Sequence, residues 1–131
     1  MAIESSMLLA MIARSAERIA SGEHELCALD AAIGDGDHGT NMKRGAEAVL
    51  GRAREIADLP MAAALAEIGR TLVMTVGGAS GPLYGSFFMA AGALMDKGAR
   101  LPEDMAEIFA AGVAAQECTG PAEPTICQTL I

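Results

Sequence analysis

Three aspartates, Asp30, Asp35 and Asp37, share one short segment with Gly34, Gly36 and Gly39, and no basic residue lies among them. Carboxylates crowded in this way repel one another and take up protons unless a cation sits between them. Hard oxygen donors suit Mg²⁺ or Ca²⁺ better than zinc or copper. The glycines permit backbone with φ > 0 and let a ligand come close to the main chain. The run Asp30-Ala-Ala-Ile-Gly-Asp-Gly-Asp-His-Gly-Thr-Asn-Met42 has neither a helical nor a strand period. It reads as a metal site with a phosphate beside it, although Asp/Gly clusters also build plain turns.

A second cluster, Gly77-Gly78-Ala79-Ser80-Gly81, precedes another helix start, much as Gly39-Thr40-Asn41 opens the helix after the aspartates. The first N–H groups of a helix have no internal partner, and the helix dipole favours an anion there. With the carboxylates, these are the parts a nucleotide polyphosphate needs. Phosphoryl transfer works mostly by positioning and charge neutralisation, so such a site can lack a nucleophile. No residue here is assigned a catalytic role as general base. A close helix packing joint is the other reading of Gly77–Gly81, and His38 is either a nucleotide contact or a loop residue. His24, between Glu23 and Glu25, reads as surface. Other ligand motifs fail: an EF-hand from Asp35 would need Gly and Glu where Thr40 and Ala46 stand. Neither glycine cluster is followed by the Lys and Ser/Thr of a P-loop, and no G-x-G-x-x-G follows a strand-like run.

The elements that must hold these loops are helical. Ile3, Met7, Met11, Ile12 and Ile19 recur on one face of a helix over residues 3–20, which Ser21-Gly22 ends. Met42, Ala46, Val49, Ala53 and Ile56 mark a second helix over 40–56, with Lys43, Arg44, Glu47, Arg54 and Glu55 mostly off that face. Pro60 opens a third, carrying Leu65, Ile68, Leu72 and Val76; Pro82 opens a fourth, ending near Gly98. Pro102 opens a fifth, with Met105, Ile108, Phe109 and Val113. Short Gly/Pro connections predict an all-α, antiparallel helical bundle. In such a bundle the loops before the second and fourth helices share one end, so the two glycine-rich loops face a single site.

The chain of 131 residues suffices for one domain with one core. It is 52% hydrophobic but nearly without aromatics, so Ala, Leu, Ile, Met and Val must fill that core. The nine methionines read as core filler. A formal charge of −8 and no basic stripe exclude a nucleic-acid surface. Cys27, Cys118 and Cys127 have no metal-ligand spacing and point to a reducing, cytoplasmic setting. The start of the chain, with Glu4, Arg14, Glu17 and Arg18, does not read as a signal peptide. Thr71–Met95 carries no charge and has the length of a membrane span, but Gly77–Pro82 breaks it, so no membrane segment is expected.

The run from Leu29 through Asp30-Ala-Ala-Ile-Gly-Asp-Gly-Asp-His-Gly-Thr-Asn-Met-Lys-Arg to Gly45 resembles the signature of the dihydroxyacetone kinase L subunit. Gly77-Gly-Ala-Ser-Gly-Pro-Leu-Tyr-Gly85 matches that family's second signature, at the usual separation. The resemblance implies a barrel of antiparallel helices with a nucleotide at one end. It implies that Asp30, Asp35 and Asp37 hold two Mg²⁺ ions bridging the phosphates of ADP or ATP. His38, Gly39, Thr40, Asn41, Gly78, Ala79, Ser80 and Gly120 would line the nucleotide. Dihydroxyacetone would be held by a separate K subunit, with either ATP or a phosphocarrier protein as phosphoryl source. Some relatives act on erythrulose or other short sugars. A non-catalytic nucleotide-binding module and an inactive fragment are the alternatives.

The likeness changes near the end. Gly120-Pro-Ala-Glu-Pro124 is similar to the family's G-K-A-E-P, with Pro121 in place of Lys. The family continues G-D-K-T-M where this sequence reads Thr125-Ile-Cys-Gln-Thr-Leu-Ile131. The expectation is an incomplete nucleotide-binding domain over residues 1–117 and a divergent tail over 118–131. The resemblance covers roughly three-fifths of a usual L subunit, which suggests a truncated or frameshifted gene. An uncovered apolar face would then favour self-association.

Overall fold

A computed structural model describes residues 4–101 and 103–117. Every regular element among them is a helix: α1 (Ser5–Ser21), α2 (Glu23–Ala31), α3 (His38–Gly51), α4 (Ala53–Ala57), α5 (Met61–Thr75), α6 (Ser80–Asp96) and α7 (Met105–Glu117). The expected all-α bundle is what forms, with two differences. Gly22 does end α1, but the chain restarts at once as α2, where the acidic pair Glu23 and Glu25 suits a helix N-terminus. Asp30 therefore stands on the last turn of a helix rather than in a loop. The single helix expected over 40–56 is broken at Arg52 into α3 and α4. Pro102, Gly120 and the tail 118–131 lie outside the described residues.

Side-chain pairing fixes the helix directions. From Glu23 with Lys43 to Asp30 with His38, α2 runs antiparallel to α3. Arg44 meets Thr75 while Arg52 meets Glu67, so α5 runs antiparallel to α3 and α4. Gly69 against Gly85 and Ala62 against Gly92 make α5 and α6 antiparallel in turn. A Cβ on Gly69 would stand 2.5 Å from the Gly85 carbonyl oxygen, and one on Gly85 would stand 2.7 Å from the Gly69 oxygen. Only a pair of glycines permits so close a crossing.

The core is aliphatic, as the composition requires. Leu8 and Ile12 of α1, Val49 of α3, Ala53, Ile56 and Ala57 of α4, and Ala64, Ile68 and Leu72 of α5 pack together with Val76. The α1 face is turned by one residue from expectation: Leu8, Ile12 and Ala16 are buried, while Met7 and Met11 are about half exposed. On α7, Ile108 is buried, but Phe109 is exposed on one side and meets Phe87 edge-on at 5.3 Å. Arg52 ties the α4 end of the bundle to α5 through Glu67 (2.6 Å) and Thr71 (3.2 Å), and it also donates to Glu55 of α4 (2.9 Å). No described helix is long and apolar enough to cross a membrane.

Candidate metal and phosphate site

The α2–α3 turn gathers the aspartates. Asp30 reaches back from α2, and its Oδ2 accepts the backbone N–H groups of Asp37 (2.9 Å) and His38 (3.2 Å). That leaves Oδ1 for a ligand. A Cβ on Gly34 would lie 2.7 Å from that Oδ1, so only glycine keeps it clear. Gly36 turns the chain with φ +76°, a conformation that suits glycine. Asp30, Asp35 and Asp37 each offer a carboxylate oxygen within 4.8 Å of the others.

Those residues fit a divalent cation. Oxygens on opposite sides of one Mg²⁺ stand about 4.2 Å apart, and about 5 Å on Ca²⁺. Small inward movements of the exposed Asp35 and Asp37 side chains would close the set on one ion. Asp35 already registers the crowding. A hydrogen bond shared with the Asp37 carboxyl, then the Asp37 charge and the nearby Asp30 charge, hold its pKa above the ordinary value. A cation among these oxygens removes that repulsion.

The second glycine loop stands at the same end. Ser80, first residue of α6, places its Oγ 3.2 Å from Nδ1 of His38, first residue of α3. The facing of the two loops expected from an alternating bundle is therefore present. Among the described residues, the backbone N–H groups of Gly39 and Thr40 on α3, and of Gly78, Ala79 and Ser80, donate to no backbone group. Gly78 has φ +67° and no atom within 4 Å of where its Cβ would be, so this loop is open. Gly39 is different. It is buried, and a Cβ there would run into the Glu23 carbonyl and stand 2.9 Å from Cys27 Sγ.

Contacts from the signature helix to Glu23 and Thr75, both outside the signatures, hold the site together. Lys43 donates to Glu23 Oε2 at 2.8 Å, and the Thr40 hydroxyl donates to Glu23 Oε1 at 3.3 Å, fastening α2 along α3. The Lys43 hydrogen bond and charge keep the Glu23 carboxyl below its ordinary pKa. Asn41 is buried, and its Oδ1 accepts from Arg44. The acidic start of α2 was the available signal for the Glu23 contact; nothing local signals the reach of Arg44 to Thr75. Of the expected site residues, the three aspartates, His38–Asn41 and Gly78–Ser80 share one end of the bundle.

Fold and site together define an antiparallel helical domain whose one end combines clustered carboxylates with two helix N-termini. Residues 32–131 match the DAK2 domain family model, and the chain belongs to that family. It is 34% identical to the ADP-binding subunit DhaL of the PEP-dependent dihydroxyacetone kinase of Escherichia coli, over 100% of this chain and 64% of that subunit. It is 40% identical to the corresponding subunit of the PTS-dependent kinase of Lactococcus lactis, over 82% of this chain and 54% of the relative. The crystal structure of the dihydroxyacetone kinase of C. freundii superposes with TM-score 0.77 at 30% identity, covering 90% of this chain and 21% of that one. The chain thus spans less than two thirds of the length of these relatives.

Proposed function

We propose that this chain is a Mg²⁺–nucleotide-binding component of a dihydroxyacetone kinase, a phosphotransferase part acting on a short ketose held by a separate K subunit. The observation that carries this reading is the meeting of the two loops. Carboxylate oxygens within 4.8 Å lie at the same end as the 3.2 Å His38–Ser80 contact and the unpartnered N–H groups around it. The names of the relatives, an ADP-binding subunit among them, support ADP or ATP as ligand. A similar D-erythrulose kinase of Mycolicibacterium smegmatis, 38% identical over 75% of this chain, keeps other short sugars open as acceptors.

In this reading Asp30, through Oδ1, and Asp35 and Asp37 hold the metal. A Mg²⁺ held there would supply positive charge to offset that of the phosphates. The N–H groups of Gly39, Thr40, Gly78, Ala79 and Ser80 orient the phosphates at two helix starts.

Thermal unfolding with and without Mg²⁺–ADP tests the reading, with Asp35→Ala as control. Ligand at about a hundred times its Kd stabilises the fold by roughly 2.7 kcal/mol, a shift of several degrees. The shift should vanish in the variant. A cooperative transition unmoved by Mg²⁺–ADP in the unaltered chain refutes nucleotide binding. Binding without phosphoryl transfer when a K subunit is supplied would make the chain a non-catalytic nucleotide module.

A further inference from the structure

We infer that Arg44 is a positioning residue that sets the orientation of the Asn41 amide, so that Asn41 presents its NH₂ group to the nucleotide. The inference rests on the nucleotide reading of this end of the bundle. Arg44 lies one turn along α3 from Asn41, and its guanidinium bridges two elements. Its Nε donates to the carbonyl of Thr75 at 2.8 Å, and its Nη2 donates to Asn41 Oδ1 at 2.5 Å. Thr75 is the last residue of α5, where carbonyls lack helical partners and a cation is favoured. The arginine is therefore anchored at a place that suits its charge.

The chemistry of the fork decides the amide. A guanidinium has five donors and no acceptor, so only the oxygen of a carboxamide can face it. Asn41 must then turn its Nδ2 away from Arg44. Nδ2 takes no acceptor among the described residues, and it is not sealed from solvent, since no buried side-chain nitrogen or oxygen lacks a partner. The loop enters the same arrangement: a Cβ on Gly77 would stand 2.8 Å from Asn41 Oδ1 and 3.1 Å from Arg44 Nη2. Arg44 and Asn41 Oδ1 thus sit against the backbone of the second glycine loop. The free donor of Asn41 is one residue from Thr40 and one helical turn from Asp37. A donor there suits a nucleotide oxygen; an amide turned the other way would offer that oxygen a lone pair.

The experiment is calorimetric titration of the unaltered chain and of Arg44→Gln, Arg44→Lys and Asn41→Asp with Mg²⁺–ADP, beside thermal melts without ligand. Glutamine can both donate and accept, so Arg44→Gln frees the amide to flip and should weaken binding at least about twofold, the cost of leaving the two orientations equally populated. Lysine remains donor-only, so Arg44→Lys should lose less than Arg44→Gln. Asn41→Asp keeps an oxygen for Arg44 and places a second one where Nδ2 was. It should melt no lower than the unaltered chain yet bind at least tenfold more weakly. If Arg44→Gln fails to fold, Asn41→Asp carries the test alone. Unchanged binding in Arg44→Gln or Asn41→Asp, or equal losses in Arg44→Gln and Arg44→Lys, overturns the inference. Absence of Mg²⁺–ADP binding by the unaltered chain overturns the nucleotide reading first, and this one with it.

Discussion

Gly39→Ala is the sharpest test of how the bundle holds its carboxylates. A methyl at residue 39 would press into the Glu23 carbonyl, 2.8 Å from its carbon, and would lie 2.9 Å from Cys27 Sγ. Ordinary contact between such atoms is about 3.5 Å or more, so α2 must move off α3 by something on the order of 1 Å. Backbone is the obstacle, so no side-chain rotation relieves it. Overpacking of this kind costs about 1–3 kcal/mol, against a gain of at most about 1 kcal/mol from replacing glycine in a helix. The net loss, between about 0 and 3 kcal/mol, lowers Tm by up to several degrees in a domain of this size. The functional consequence is larger than the stability loss. Asp30 rides on α2 while Asp37 and His38, whose N–H groups hold Asp30 Oδ2, belong to α3 and its cap. Sliding the helices apart stretches those bonds and spreads the carboxylate set. Melts with and without Mg²⁺–ADP should show a lower Tm and a lost ligand shift. Gly51→Ala is the control, because a Cβ there meets nothing within 4 Å; it should melt at the same temperature or slightly higher. Unchanged Tm and ligand shift in Gly39→Ala would refute the claim that this close approach sets the site.

Two further outcomes follow from the packing and the charges. Ile56 is fully buried at the α4 end of the core, so Ile56→Ala should cost about 2–5 kcal/mol in urea unfolding. A loss under about 1 kcal/mol would mean that the core closes over the gap. The Glu23–Lys43 pair carries a pH dependence. Because Lys43 lowers the Glu23 pKa in the folded chain, the stabilisation is present above the ordinary Glu value of 4.5. It is lost as pH falls through the lower folded value. An NMR titration should find Glu23 below its ordinary value, and Lys43→Met should bring it back up; an unchanged midpoint in the variant would exclude Lys43 as the cause.

What was legible in the sequence was whatever is written locally. The 3.6-residue spacing of Ala46, Val49, Ala53 and Ile56, and of Ile68, Leu72 and Val76, marks the faces that do form the core. The aspartates and the two glycine runs betray themselves by type and spacing alone. The α2 helix was hidden because it buries no residue fully and so shows no apolar stripe, and because Gly22 reads as a stop. Here that glycine has φ −91° and serves as a joint between two helices, not as a left-handed cap. The glycines themselves carry the more general point. Read from composition, Gly39 and Gly78 look alike, as residues that open the backbone to a ligand. In the fold, Gly78 is open and turns with positive φ, whereas Gly39 is a packing requirement that lets α2 bring Asp30 to its place. One glycine leaves its loop open and the other leaves room for a neighbouring helix, and only the neighbour across the helix interface tells them apart. The same limit hides Arg44, whose two acceptors lie one turn away and thirty-one residues away. Its contribution is a property of the crossing between α3 and α5, so it becomes visible only once that crossing is known.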